Sequence, residues 1–265
     1  MLNIIWACFF LLSLILPPCY ASDNLPLRGT YPNVKTMSND RLNSDFKDVI
    51  VIDVRSKLEF DIAHINNAHH ISMSTLAFVK LLERVRSKVS SKALVFYCNG
   101  QTCAKSYKAY IRAFEAGFSN IYSFDAGIFD WINAHPEKST LMNESPANTK
   151  KIIAQGQLET HLVTLKDFIN KAKDGANIID IREPFQRKVT LGLSATRNIP
   201  LDKLLPSLKN KVFIDSPIII MDAVGKQIRW LQYHLQEHGY SEYYFLENGV
   251  EGVDEQYIPP RTLTP

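Results

Sequence analysis

The chain has 265 residues, a formal net charge of +3 and 22% charged side chains. Hydrophobic residues make up 46%, an ordinary globular balance, which excludes a disordered chain, a collagen-like chain and a polytopic membrane protein. Four cysteines are too few for a disulfide scaffold, and so small a charge gives no case for a nucleic-acid or membrane-surface partner. The length allows one or two domains of about 100–150 residues each.

Residues 1–21 read as a cleaved signal peptide. Met1 to Ser22 carry no charged side chain, and Ile4–Leu16 is an apolar run of 13 residues broken only by Ser13. That run is short of the roughly 20 residues a membrane span needs. Pro17-Pro18 end it, and the small Ala21 precedes the expected cut. An uncleaved anchor and lipidation at Cys19 are weaker rivals, since Leu16-Pro17-Pro18 lacks the small residue a lipobox needs. Cleavage removes Cys8 and Cys19, leaves Cys98 and Cys103, and predicts a periplasmic or secreted protein in an oxidising compartment.

Beyond it, Val49–Arg55 is a β-branched run ending in Asp53-Val54-Arg55, a buried strand. Asp53 and Arg55 fall at the strand end, where an ion pair between them competes with a role for Arg55 in attracting an anion. His64, His69 and His70 follow, but no carboxylate or cysteine spacing completes a zinc site with them. Residues 80–92 carry five bases and one acid, a solvated helix face. Ala93–Tyr97 is a second buried strand leading into Cys98-Asn99-Gly100-Gln101-Thr102-Cys103 and then a helix. Ligand sites of open α/β sheets lie beyond the carboxyl ends of strands, and a helix N-terminus favours a thiolate there. A buried core cysteine is the competing reading. The helical stretch ends at Gly117-Phe118; Ile121–Phe124 is a third strand, and Gly127 closes the unit. Pro136–Lys150, rich in Ser, Asn, Pro and charge, has a linker's composition.

The same layout then returns. Asn177–Glu183 answers Val49–Arg55, Pro217–Asp222 answers Ala93–Cys98, Gly239-Tyr240 answers Gly117-Phe118, and Tyr243–Leu246 with Gly249 answers Ile121–Phe124 with Gly127. The offset is 127 residues at Asp53/Asp180, 124 at Cys98/Asp222 and 122 from Gly117/Gly239 onward. So steady an offset predicts an α/β chain of two copies, each a parallel sheet flanked by helices. The expected boundaries are 30–140 for the first, 141–154 for the linker and 155–265 for the second.

The first copy resembles a rhodanese domain, the sulfurtransferase module. The residues that carry the likeness are Val51–Ser56, Glu59-Phe60, His64-Ile65, Asn67-Ala68, Ile71, the loop Tyr97-Cys98-Asn99-Gly100 and the closing Ala126-Gly127-Ile128-Phe129-Asp130-Trp131. The second copy shows weaker counterparts in Ile179–Glu183, Ala195, Ile199-Pro200 and Leu246–Gly249. The resemblance implies that Cys98 attacks the outer sulfur of a donor such as thiosulfate, forming a persulfide whose terminal sulfur passes to a thiol or cyanide. It implies a cradle of backbone amides at Asn99, Gly100, Gln101, Thr102 and Cys103, with Arg55 near the active face, and neither cofactor nor metal.

Two features depart from the family. The fifth residue after Cys98 is often Arg and here is Cys103, so the loop has no cation before Lys105. Cys103 is also positioned to attack a persulfide on Cys98 or to rest as its disulfide partner. An alternative is therefore a non-catalytic, thiol–disulfide or partner-binding module. A related phosphatase loop requires Arg six residues after the cysteine, where Ala104 stands. In the second copy Asp222 replaces the cysteine, and Asp222 to Gly239 spans 17 residues against 19 from Cys98 to Gly117. That site reads as degenerate and silent, its copy walling the first site or docking a client protein.

Overall fold

The structure, a computed structural model, describes residues 25–88 and 91–253. The expected signal peptide lies outside the described residues, as does the end of the expected second copy. Among the described residues no helix is long and apolar enough to cross a membrane.

The first half runs α1 (Asn39–Ser44), β1 (Val49–Asp53), α2 (Lys57–Ile62), β2 (Ala63–Ile65), β3 (His69–His70), α3 (Phe78–Lys88), β4 (Ala93–Tyr97), α4 (Lys105–Glu115), β5 (Ile121–Phe124), α5 (Gly127–Ala134) and β6 (Ser139–Leu141). The second runs α6 (Gln155–Glu159), β7 (Leu162–Val163), α7 (Leu165–Lys173), β8 (Asn177–Asp180), β9 (Arg197–Asn198), α8 (Leu201–Lys209), β10 (Ile218–Met221), α9 (Ile228–Glu237) and β11 (Tyr243–Leu246).

Each half is built on a parallel sheet. The first has the order β3-β1-β4-β5, and the second β9-β8-β10-β11-β7. The orders correspond strand for strand, because Thr36 bridges Ser123 on the outer side of β5 where β7 pairs with β11. Leu94–Tyr97 and Ile218–Met221 form the buried centres of their sheets, which is why they read as unbroken apolar runs. Helices cover both faces; α4 turns Tyr107, Ala109, Tyr110 and Ala113 inward and Lys105 and Lys108 outward.

The correspondence extends to single hydrogen bonds. Val54 N–H donates to the Tyr97 carbonyl at 3.2 Å, and Ile181 N–H to the Met221 carbonyl at 3.0 Å. Ile128 N–H donates to the Cys98 carbonyl at 3.0 Å, and Val250 N–H to the Asp222 carbonyl at 2.9 Å.

The segment with a linker's composition is ordered and packed. Its β6 pairs antiparallel with β2, and Leu141, Met142, Ala147 and Ile153 enter the core that holds Trp131. These apolar residues, spaced through a polar stretch, tie the segment down. Trp230 and Tyr233 of α9 belong to the same core. The Trp230 ring stacks on Phe129 with centroids 5.6 Å apart, and the Tyr233 hydroxyl accepts from Ile153 N–H at 3.1 Å. The two halves therefore share an apolar seam, sealed by aromatic side chains that each bury roughly 150–250 Å².

Candidate active site

Cys98 is the first residue past β4, at the carboxyl edge of the first sheet. It is buried, at 1% exposure, and joined by a disulfide to the half-buried Cys103. Their Cα atoms are 6.2 Å apart, within bridging range. Between them the chain makes a turn closed by Cys103 N–H donating to the Gly100 carbonyl at 2.9 Å. In this oxidised form the Cys103 amide is thus committed to the turn and does not face a ligand, unlike the cradle expected from the resemblance. Two residues on, α4 begins with no side chain capping its first turn, leaving its amides unpaired by side chains.

The loop rests on α5. Gly127 has φ +79°, and a side chain there would run into the backbone of Asn99 and Gly100. The second half repeats this contact, with Gly249 at φ +64° beneath Ala223 and Val224. Glycine is required at both positions by the turn and by the close approach.

A buried polar chain fixes the loop from below. Arg55 is fully buried and clamped by Asp53, with Nε to Oδ1 at 3.0 Å and Nη2 to Oδ2 at 2.5 Å. Its Nη2 also donates to the Ala63 carbonyl, and Nη1 donates to Asn99 Oδ1 at 3.2 Å. Burial opposes the charge on Arg55, but Asp53 chiefly outweighs it and raises the pKa. Arg55 accordingly meets the loop as a scaffold, through Asn99, and not as an exposed cation awaiting a donor. Its guanidinium carbon lies 5.4 Å from the ring centroids of both Tyr97 and Trp230, so the second half touches the scaffold too.

Asn99 Nδ2 in turn donates to Glu59 Oε1 at 2.6 Å. Glu59 closes a capping box with Ser56 at the start of α2 and pairs with Lys105 Nζ at 3.5 Å. Burial raises the Glu59 pKa, but Lys105, Asn99 and Ser56 together more than reverse it and hold the carboxyl below its ordinary range. The chain Asp53–Arg55–Asn99–Glu59–Lys105 thus runs under the loop from β1 to α4. Gln101 and Thr102 sit on the solvent side, Gln101 Nε2 donating to Asp130 Oδ2 at 3.0 Å.

The second loop fills itself. Asp222 is buried, and its Oδ1 accepts from Gly225 N–H at 2.6 Å while Oδ2 accepts from Gln227 N–H at 2.9 Å. Its own carboxylate thus occupies the amides of the shorter loop. Burial raises the Asp222 pKa in spite of these donors. Asp180 clamps Arg182 as Asp53 clamps Arg55, but Nη1 of Arg182 turns to the Gln186 and Val189 carbonyls, because Ala223 replaces Asn99.

The fold therefore brings Cys98, Asn99, Gly100 and Cys103 together, with Arg55 behind them. Glu59 and Trp230 were not singled out as site residues from the sequence. For Glu59 the Ser56-x-x-Glu59 capping-box spacing was the available signal; Trp230 is a tertiary contact. His64 and His70 flank the Phe60 ring, and their ring nitrogens lie 2.8 and 3.0 Å from the Phe60 and Arg55 carbonyls.

Residues 38–134 match the family model for the rhodanese-like domain. A thiosulfate sulfurtransferase, GlpE of Coxiella burnetii, is 29% identical over 97 residues, covering 37% of this chain and 84% of that protein. A tRNA uridine(34) hydroxylase of the Aster yellows witches'-broom phytoplasma is 23% identical over 129 residues, covering 47% and 40%. The chain thus spans less than half the length of that hydroxylase. Among solved structures, a Bacillus halodurans protein, BH2092, matches 50% of this chain and 94% of its own at 20% identity, with a TM-score of 0.37. A Pseudomonas aeruginosa thiosulfate sulfurtransferase matches 89% of this chain and 46% of its own at 14% identity, with a TM-score of 0.36.

Proposed function

The chain carries a rhodanese-like domain at residues 38–134, and we propose that this domain is a sulfurtransferase working through Cys98 in its reduced state. The observation that carries the reading is the position of Cys98: first residue past β4, at the carboxyl edge of the sheet, before an uncapped helix. There the Cys98 thiolate attacks the outer sulfur of a sulfane donor such as thiosulfate. The S–S bond of the donor breaks, sulfite leaves with its electron pair, and a persulfide remains on Cys98. An acceptor thiolate or cyanide then takes the terminal sulfur and regenerates the thiolate. Amides of the loop and of the start of α4 stabilise the anionic persulfide.

Cys103 adds a second exit. Its thiolate attacks the Cys98 sulfur of the persulfide, hydrosulfide leaves, and the disulfide forms. An external dithiol then returns the pair to its working state, supplying two electrons and two protons. In this reading the second sheet is a degenerate copy, silent because Asp222 occupies its own loop, and it walls the first site through Trp230. Export through residues 1–21 to an oxidising compartment accords with the oxidised pair. A thiol–disulfide module that transfers no sulfur is the second reading, favoured by the disulfide itself.

Thiocyanate formation from thiosulfate and cyanide, assayed after reduction, tests the proposal. Wild type and Cys103→Ser are expected to be active and Cys98→Ser inactive. Equal rates in wild type and Cys98→Ser, or no thiocyanate from any form, contradict it.

A further inference from the structure

Outside the cysteine loop, the second half gathers three acceptor atoms. His234, Glu237 and His238 lie at the C-terminal end of α9 in the spacing His-x-x-Glu-His. Residues three and four apart share one helix face, and here one ligand atom from each of the three lies within 4.8 Å of the others. His234 Nδ1 is 3.8 Å from Glu237 Oε2, and His238 Nε2 is 3.9 Å from the same oxygen. Both separations exceed a hydrogen bond.

The chemistry of the three groups points to a cation between them. His234 Nε2 is buried with no hydrogen-bond partner among the described residues, and Nδ1 is the ring nitrogen that approaches Glu237. Burial, reinforced by His238, lowers the His234 pKa against the pull of Glu237 and Asp61. A neutral imidazole is the metal-binding form. The helix C-terminus is also the negative end of the dipole, where a carboxylate is unfavourable and a cation favourable.

We propose that His234, Glu237 and His238 form a binding site for a divalent first-row transition ion of the Zn²⁺ class. Ligands about 2.0–2.1 Å from a tetrahedral ion stand about 3.4 Å apart, so the two His–Glu separations of 3.8 and 3.9 Å need to close by about half an ångström, and the two histidine nitrogens, within 4.8 Å of each other, by at most about 1.4 Å. The exposed Glu237 side chain is the one that swings in. Two imidazoles and a carboxylate suit this class of ion, and the fourth position is left to water. The site lies on the helix that delivers Trp230 and Tyr233 to the first core. Asp61, on the facing α2, acts electrostatically on His234 and is itself paired with Lys57. An ion here sits within the electrostatic reach of α2 of the first half.

The full-length protein, kept oxidised so that Cys98 and Cys103 offer no thiolate, is titrated with ZnCl₂ by calorimetry and with CoCl₂ by visible absorption. Wild type is expected to take up about one ion per chain, to show cobalt d–d bands without a thiolate charge-transfer band, and to melt at a higher temperature with zinc. His238→Ala and Glu237→Gln are expected to keep the wild-type circular dichroism and lose at least tenfold in affinity. Failure of the wild type to bind, or binding in both variants equal to wild type, overturns the proposal. His69→Ala, at an exposed histidine elsewhere, is expected to bind as wild type does, and a matching loss there overturns it also.

Discussion

Asn99 donates from Nδ2 to Glu59 Oε1 at 2.6 Å, and this contact joins the cysteine loop to the start of α2. The opposite end of the same amide accepts from Arg55. One side chain thus satisfies a buried cation and a nearly buried carboxylate, and its orientation is fixed by their chemistry. Asn99→Ala is expected to lower stability by about 1–3 kcal/mol, the cost of leaving such groups unpaired. Asn99→Asp is expected to cost more at neutral pH, since it sets a carboxylate against Glu59. Urea midpoints of the oxidised proteins check both. An Asn99→Ala midpoint equal to wild type contradicts the assignment.

Glu59 and Asp222 are expected to act on acid stability with opposite signs. The Glu59 pKa is depressed in the folded protein. Its contribution is present above the unfolded value, about 4.3, and is lost as pH falls through the folded value. The Asp222 pKa is raised. Its unfavourable contribution is absent below the unfolded value, about 3.9, and develops as pH rises through the folded value. Urea midpoints between pH 7 and pH 3 are therefore expected to fall less steeply for Glu59→Gln than for wild type. For Asp222→Asn they are expected to fall more steeply, because a compensating gain on acidification is removed.

Gly127 and Gly117 both have positive φ, +79° and +88°, but only Gly127 lies under another backbone segment. Gly117→Ala is expected to cost about 1–2 kcal/mol, the strain of a left-handed residue with a side chain. Gly127→Ala carries that strain and must also displace Asn99 and Gly100, so it is expected to cost more and to lower thiocyanate formation at least tenfold. Equal midpoints and equal rates for the two variants contradict the close approach.

Trp230→Ala is expected to destabilise the protein by about 3–5 kcal/mol, as for a large buried aromatic. It removes the Phe129 stack and one of the rings beside Arg55. A single urea transition that shifts as a whole indicates halves that unfold together through the seam. A wild-type midpoint in the variant contradicts the seam.

Much of this architecture is legible in the sequence because its determinants are local. The apolar runs at Val49–Asp53, Ala93–Tyr97 and Ile218–Met221 are strands at nearly their expected bounds, and Cys98 falls at the strand end where the pattern puts it. What stayed hidden depends on tertiary contact. Residues 136–150 have a linker's composition, yet Leu141 and Ala147 reach a core built largely by distant residues. For Arg55 the sequence offers the ion pair with Asp53 beside a role in attracting an anion; the pair is formed, and the contacts to Ala63 and Asn99, made across the fold, are what the sequence does not announce. The His-x-x-Glu-His spacing on α9 is local, but the burial of His234 that sets this cluster apart is tertiary.

The central claim is that Cys98 is the sulfur-bearing nucleophile and Cys103 its resolving partner. Intact-mass spectrometry of reduced, thiosulfate-treated protein tests it most directly. Cys103→Ser is expected to gain about 32 Da, one sulfur, on Cys98 and to hold it, while wild type releases hydrosulfide and returns to the disulfide mass. A gain of the same size in Cys98→Ser, or no gain in Cys103→Ser, would contradict the account.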